Sequence, residues 1–273
     1  MTDPLVAGDG QGAAESAVAG SWAELDQMLF LDAWDPGLRR IRVARAFRGM
    51  STREANLRSR LLRLGGDAGA KERHLIRNFR KYARRRFVGD DSIWSWLALA
   101  QHHHLPTRLL DWTYSPYVAL HFVTAKASEM GVDGEVWTVD LRAVKKELPA
   151  RFGELLEAEG SMVFTGELLS QAARGPSELR AASAEPFLLF IEPPTVTDRI
   201  ENQAALFSML SHVEAPFDTW LARRPDAWRR VIVPASLKWE VRDRLDQIGI
   251  TERLLFPGLD GLSAWLSRYY SER

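Results

Sequence analysis

The chain has 273 residues, of which 46% are hydrophobic and 10% aromatic, and its 36 Lys and Arg balance its 36 Asp and Glu. A chain this long and apolar can bury a core without covalent staples, and its zero net charge gives no general attraction to nucleic acid. The absence of cysteine excludes disulfides and cysteine nucleophiles and fits a reducing compartment. No signal peptide or bilayer-length apolar run is recognisable. We therefore expect a cytoplasmic globular protein without a membrane partner.

The domain organisation follows from where low-complexity sequence stops. Residues 1–20 are rich in Gly and Ala, and no Gly-, Ser- or Pro-rich linker interrupts the chain after them. The sequence therefore predicts a disordered tail over residues 1–20 and a single domain over residues 21–273.

The first predicted elements are a helix, a strand and two further helices. Apolar residues recur at helical spacing after Ser21, and residues 41–49 alternate between apolar and polar types, as a half-buried strand does. Residues 52–86 have a helical period that is interrupted by a Gly-Gly-Asp turn at residues 65–67. Arg48 lies at the end of the predicted strand.

Residues 101–125, QHHHLPTRLLDWTYSPYVALHFVTA, are the most informative segment. Buried polar groups need partners, so the His, Arg and Asp residues within this apolar frame indicate a functional site. We expect a short strand over residues 108–112, followed by a helix that Ser115 caps and Pro116 begins.

The remaining segments complete an α+β pattern. Residues 134–141, 186–194 and 228–234 are predicted strands, and the last forty residues predict two amphipathic helices. Residues 145–184 have no clear period. The irregular mixture of strands and helices favours an α+β fold over a regularly alternating parallel sheet.

The motif at residues 106–113, PTRLLDWT, resembles the FRG domain. Phe47-Arg48-Gly49 upstream supports this resemblance, as do Arg199-Ile200, residues 203–207 and residues 256–261 downstream. The similarity runs from about residue 40 to the carboxyl end. Met50, His104 and Ala204-Ala205 depart from residues common in the family. The resemblance implies a bacterial toxin or antiphage defence protein.

A second resemblance is to the three-part signature of ADP-ribosyltransferases. It implies a mixed, mostly antiparallel split sheet with flanking helices, and NAD as the substrate. Mapped by pattern, Arg48 binds the phosphates, Thr113 and Ser115 shape the ribose pocket, and Glu201 or Gln203 stabilises the transition state. Gly49, which has no side chain, lets a ligand approach the backbone. Trp112 and Tyr114 form an apolar wall, and His102, Arg108 and Asp111 support the site from behind. The implied reaction is ADP-ribosyl transfer or NAD hydrolysis.

Each of these residues also has a structural interpretation. Arg48 can pair with Asp111, Thr113 and Ser115 can cap a helix, and Trp112 can belong to the core. An amide such as Gln203 cannot act as a base. Glu201 points to the same side as Gln203 only if this segment is a strand. The alternative function is a non-catalytic module that binds a nucleotide, a peptide or nucleic acid.

Two further motifs are a run of three histidines and a basic segment. Three consecutive histidines, His102 to His104, point in different directions on any regular element, so we expect no metal site. Residues 71–86 predict a basic amphipathic helix. The basic side of such a helix usually faces solvent, and the alternative is a contact with nucleic acid. Its cations are Lys71, Arg73, Arg77, Arg80, Lys81, Arg84, Arg85 and Arg86.

Overall fold

A computed structural model describes residues 16–53, 57–86, 90–195 and 197–271. The strands are β1 Ser16–Val18, β2 Trp34–Asp35, β3 Arg40–Ile41, β4 Arg45–Met50, β5 Leu110–Thr113, β6 Gly134–Asp140, β7 Leu188–Ile191, β8 Ala205–Leu210 and β9 Trp228–Val233. The helices are α1 Trp22–Leu29, α2 Arg60–Arg63, α3 Ala68–Ala83, α4 Ile93–His102, α5 Pro116–Val123, α6 Leu141–Lys146, α7 Ala150–Ala158, α8 Gly166–Ala172, α9 Pro176–Ala181, α10 Asp198–Asn202, α11 Phe217–Ala222, α12 Ala235–Gln247, α13 Glu252–Leu255 and α14 Leu259–Tyr269.

Seven strands form one mixed sheet in the order β1-β9-β6-β4-β5-β8-β7. All neighbouring pairs are antiparallel except β1 and β9, which are parallel. Strands β2 and β3 form a separate two-stranded ribbon. The expected mixed, mostly antiparallel sheet with flanking helices is confirmed.

The sheet is nearly divided between β4 and β5. Strand β4 pairs with β6 along its whole length, from Arg45 to Met50, but its register with β5 has the single pair Phe47 and Thr113. Beyond that pair the two strands part, so their facing backbone groups do not form a continuous ladder. The opening between them places the site described below.

Helices cover both faces of the sheet. One face packs Phe47, Val136 and Val231 against α1, α5 and α12, and the other buries Trp112 and Trp137. A third cluster fills the space between α4, α7 and α8. Ser, Thr or Asp caps most of the helices, as Ser21, Ser59 and Asp67 do for α1 to α3.

Helix α5 lies unusually close to β4 because Gly49 has no side chain. A Cβ built on Gly49 would lie 1.8 Å from the carbonyl oxygen of Ala119, which is backbone and cannot rotate away. We expected this glycine to let a ligand approach the strand. The structure shows a packing role for it, because it seats α5 on the sheet.

The carboxyl-terminal helices are fastened to α5 by a buried charge network. Arg242, on α12, contacts Nδ1 of His121 at 2.7 Å and Oδ1 of Asp246 at 3.0 Å. Arg268 of α14 donates to both carboxylate oxygens of Asp246 and of Glu252. Because His121 and Arg242 are fully buried, this network fixes α12, α13 and α14 against the helix that Gly49 seats.

Three segments differ from the sequence-based expectations. Residues 16–18, predicted to belong to the disordered tail, form β1, while residues 1–15 lie outside the described part. The unassigned residues 145–184 contain the end of α6 and all of α7, α8 and α9. Residues 198–202 form helix α10 rather than a strand. Over the described ranges, none of the helices combines the length and the apolar character that a membrane crossing requires.

Replacing Gly49 by Ala should destabilise the fold by about 1–3 kcal/mol, because the new methyl group forces α5 away from β4. Gly153→Ala is the matched control. Gly153 lies inside α7 with no atom within 4 Å of the added Cβ, so this change should stabilise the protein by about 0.5–1 kcal/mol. Urea unfolding monitored by circular dichroism measures both changes. Equal stability of the two variants would contradict the packing role of Gly49.

The buried His121 should make stability fall with acidification. Burial lowers the pKa of His121 from 6.5 to about 3, Arg242 lowers it further, and Glu252 opposes the shift. Between pH 6.5 and about 3, His121 therefore binds a proton in the unfolded chain but stays neutral in the folded chain. The free energy of unfolding should lose up to about 1.4 kcal/mol per pH unit through this residue alone.

His121→Gln keeps an acceptor for Arg242 and removes the titration. Urea unfolding of both proteins from pH 7 to pH 4 should show a shallower decline in the variant. Parallel declines would contradict the assigned role of His121.

Candidate functional site

A cavity of about 380 Å³ opens where β4 and β5 part. Its lining residues come from strands β4, β5 and β8, from helices α2, α4, α5 and α10, and from the segments that follow β4, α4, α5 and α10. The lining residues are Phe47, Arg48, Gly49, Met50, Ser51, Arg60, Arg63, Gln101, His102, His104, Asp111, Trp112, Thr113, Phe122, Ala125, Lys126, Arg199, Ile200, Gln203, Ala205 and Phe207.

Arg48 spans the opening between the two strands. Its Nη1 donates to the main-chain oxygen of Asp111 at 2.5 Å and lies 3.9 Å from the Asp111 carboxylate. The guanidinium thus provides a hydrogen bond where the backbone ladder is missing. Burial lowers the pKa of Arg48 and Asp111 opposes this shift. The expected ion pair with Asp111 exists, and Arg48 also lines the cavity.

The Asp111 carboxylate is held from the side by α4. Gln101 Nε2 lies 3.0 Å from each carboxylate oxygen, and Gln101 Oε1 accepts a hydrogen bond from Thr107 at 2.7 Å. Gln101 and Thr107 are both buried, whereas the Asp111 side chain remains 57% exposed. The carboxylate is therefore fixed in orientation and open to the cavity.

The cavity is strongly cationic. Its described lining carries five arginine or lysine side chains and one carboxylate, Asp111. The cations are Arg48, Arg60, Arg63, Lys126 and Arg199. The Nε donors of Arg48 and Arg199 are buried without an acceptor among the described residues. Such donors cost free energy unless an acceptor meets them, so the cavity suits an anionic ligand.

Two of the three histidines reach the cavity. His102 Nε2 lies 3.3 Å from Thr197 Oγ1, and His104 Nε2 lies 3.3 Å from Arg199 Nη1. Burial lowers the pKa of His102 to about 4, with Arg199 and the adjacent histidines adding to the shift. His103 instead contacts Phe79 of α3. No group of three metal-ligating side chains occurs in the part of the chain that the structure describes.

Helix α10 separates the two residues predicted to stabilise the transition state. Gln203 lines the cavity, and its amide donates to the main-chain oxygen of Leu255 at 2.9 Å. Glu201 is exposed and lies outside the cavity lining. They do not share a face as they would on a strand, because Thr197 caps a helix here and accepts a hydrogen bond from the Ile200 N–H.

The residues predicted for the ribose pocket divide between the cavity and the scaffold. Thr113 lines the cavity and donates to the main-chain oxygen of Gln203 at 2.7 Å. Ser115 caps α5 and lies outside the lining. Trp112 borders the cavity, but its indole donates to Ser208 and packs on Phe190.

Tyr114 was predicted to be part of the apolar wall, and it lies outside the cavity lining. Its hydroxyl donates to the Glu192 carboxylate at 2.6 Å. Burial raises the pKa of Tyr114, and Glu192 adds to the shift. The Tyr114 ring packs beside the Trp112 cluster on the sheet. Tyr114 therefore belongs to the scaffold that carries β5.

Arg108 does not support the cavity. It forms a buried bidentate pair with Glu72 of α3, with Nε 2.8 Å from Oε1 and Nη2 2.5 Å from Oε2. The predicted strand started at Arg108, but β5 begins at Leu110, so Arg108 lies before the strand and faces α3. Its role is to fasten α3 to the core.

The predicted basic helix forms as α3, and the cations of this basic segment divide into two groups. Arg80 and Arg84 pair with Asp91, and Lys71 donates to the main-chain oxygen of Leu64. Four others are exposed and have no ion pair within the described residues, namely Arg73, Arg77, Lys81 and Arg85. The side chain of Arg86 lies outside the described residues. Tyr82, beside Lys81, is 78% exposed.

Several lining residues were not predicted from the sequence. Arg60 and Arg63 come from a four-residue helix, Lys126 from the segment after α5, and Gln101 from the last turn of α4. Gln101 precedes the three histidines, and its polar side chain in an apolar helix was the available signal. The arginines of α2 gave no signal that separates them from ordinary surface cations.

Comparison with known protein families gives one match, which covers part of the chain. Residues 44–131 match the family model of the FRG domain. Searches of curated proteins and of solved structures found no match. The FRG match covers β4, α2 to α5 and the cavity residues from Phe47 to Lys126. The downstream residues that line the cavity, from Arg199 to Phe207, lie beyond it.

Arg108→Met should destabilise the protein by about 3–5 kcal/mol, because it leaves the buried Glu72 carboxylate unpaired. Arg180→Met is the matched control, since Arg180 and Glu214 form an ion pair in which both side chains are more than half exposed. That control should cost less than about 1 kcal/mol. Thermal unfolding of both variants gives the comparison. Similar losses would contradict a structural role specific to Arg108.

Proposed function

We propose that the FRG domain binds a phosphate-bearing nucleotide in the cavity between β4 and β5, with NAD as the first candidate. We further propose that it cleaves the bond between nicotinamide and ribose and passes ADP-ribose to a macromolecule or to water. The observation that carries the proposal is the charge of the cavity, where five cations face one carboxylate. Consumption of NAD in this way would suit a toxin or an antiphage defence protein.

The cavity has the size of a small-molecule site and carries donors that suit phosphate groups. Its volume of about 380 Å³ falls in the range of small-molecule sites. Arg48 lines the cavity from β4 and Arg199 lines it from α10, and each keeps a buried Nε donor without an acceptor among the described residues. Guanidinium groups bind phosphate through paired donors, so the two arginines suit a pyrophosphate.

The second candidate is a recognition module that holds the nucleotide without cleaving it. This alternative is favoured by the position of Glu201 outside the cavity and by the Gln203 amide, which is engaged with Leu255. The segment predicted to stabilise the transition state, at Glu201 and Gln203, therefore offers no carboxylate to a ribose. Binding without nicotinamide release would support this candidate.

We also propose that α3 contacts nucleic acid as the macromolecular partner. Arg73, Arg77 and Lys81 recur every four residues, which is about 6 Å along the helix axis. Lys81 Nζ lies 5.3 Å from the centre of the Tyr82 ring, and that ring is exposed. An exposed aromatic ring among cations is an arrangement on which unpaired bases stack.

Arg60→Gln should weaken NAD binding about five- to tenfold, because it removes a cation from the cavity rim. Arg223→Gln is the matched control, since Arg223 is exposed at the end of α11 and outside the cavity lining. Isothermal titration calorimetry with NAD compares the two. Unchanged affinity in the Arg60 variant, or an equal loss in the control, would contradict the cavity as the binding site.

Arg77→Gln and Lys81→Gln should each lower the salt dependence of oligonucleotide binding by about one unit of slope in log affinity against log salt. Fluorescence anisotropy with a labelled single-stranded oligonucleotide measures this slope. Arg223→Gln again removes an exposed cation and should leave the slope unchanged. Absence of binding in the unmodified protein would contradict the nucleic-acid partner.

A further inference from the structure

We infer that Asp111 is the carboxylate that contacts the nicotinamide ribose and stabilises the transition state of bond cleavage. This inference rests on the proposed NAD-cleaving function and assigns its reactive carboxylate. The motif had given Asp111 only a supporting position behind the site. The geometry places it at the cavity surface instead.

The position of Asp111 is the first argument. Its side chain is on β5 at the point where β4 turns away, directly across the opening from Arg48. More than half of that side chain is exposed, although its neighbours Leu110 and Trp112 are buried. A ligand whose phosphates meet Arg48 would therefore bring its ribose within reach of this carboxylate.

The hold on Asp111 is the second argument. Gln101 contacts both carboxylate oxygens through a neutral amide, and Thr107 fixes Gln101 in turn. A carboxylate has about four acceptor sites, so the contact with Gln101 leaves sites free for ribose hydroxyls or water. An oriented and accessible carboxylate is the kind of group that stabilises positive charge developing on a sugar.

Competing groups near the cavity are occupied or misplaced. Glu129 accepts hydrogen bonds from Ser51 and Lys126 and does not line the cavity. Glu201 is exposed outside it. Asp111 is thus the one acidic group among the described lining residues.

The chemical step balances with water as the acceptor. The bond between C1′ of the ribose and the nicotinamide nitrogen breaks, and both electrons leave with the nicotinamide, which becomes neutral. The ribose takes on oxocarbenium character, which the negative Asp111 stabilises. Water adds to C1′ and gives one proton to the Asp111 carboxylate, which releases it to solvent. The products are ADP-ribose, nicotinamide and a proton.

Asp111→Asn tests this role without dismantling the site. The principal bond of Arg48 is to the main-chain oxygen of Asp111, so a side-chain change leaves it in place. Glu201→Gln is the matched control, because it removes the same charge from an exposed position outside the cavity. Circular dichroism and thermal unfolding establish that both variants fold.

The experiment measures NAD binding by calorimetry and nicotinamide release by chromatography for the three proteins. We expect Asp111→Asn to bind NAD within about threefold of the unmodified protein and to release nicotinamide at least about 100-fold more slowly. Glu201→Gln should match the unmodified protein in both assays. Release by the Asp111 variant at the unmodified rate, or loss of release in the Glu201 variant alone, would overturn the inference.

These outcomes separate the inference from the function on which it rests. If the unmodified protein neither binds NAD nor releases nicotinamide, the proposed function fails and the assignment of Asp111 fails with it. If the unmodified protein releases nicotinamide and the Asp111 variant does so equally fast, the function stands and the assignment alone is wrong.

Discussion

The separation of β4 from β5 is the constraint on which the rest of the structure depends. Two adjacent antiparallel strands that share a single residue pair leave main-chain groups without ladder partners. Arg48 supplies a donor to one of these groups, the Asp111 oxygen. Arg48 therefore stabilises the opening between β4 and β5 and also places a cation in the cavity lining. The opening that interrupts the sheet is the same one that creates the cavity.

The cavity depends on parts of the chain far from the FRG match. Asn202 and Gln203 donate to the main-chain oxygens of Leu254 and Leu255, and the Arg199 guanidinium lies 5.1 Å from the ring centre of Phe256. Helix α13, which provides these contacts, is held by the paired charges of Arg268 and Glu252. The carboxyl-terminal network thus holds α10, which contributes Arg199 and Ile200 to the cavity lining.

Much of the fold could be predicted from local sequence, because alternation and capping residues determine single elements. Strands β6, β7 and β9 and helices α1, α3 and α5 lie where their patterns indicated. Helices α6 to α9 were missed because they are short and each contributes only a few residues to the core clusters, so none of them presents one long apolar stripe. Strand β5 starts two residues later than predicted, so Arg108 lies before the strand and pairs with Glu72 of α3.

The site was only partly predictable because its residues come together through tertiary packing. Five residues singled out from the sequence line one cavity in the structure, namely Arg48, His102, Asp111, Thr113 and Gln203. The sequence could not show that Gly49 packs against α5, because that depends on the close approach of two backbones. It also could not show that Glu201 lies outside the cavity, which follows from the formation of helix α10. It also gave no sign that the arginines of α2 reach the rim.

A crystal structure of the protein soaked with ADP-ribose would test the central claim most directly, because it locates the ligand and the strand opening together. The pyrophosphate should lie within hydrogen-bonding distance of Arg48 or Arg199, with a ribose beside Asp111. Closure of β4 onto β5 by a regular ladder, or a ligand bound away from this cavity, would contradict it.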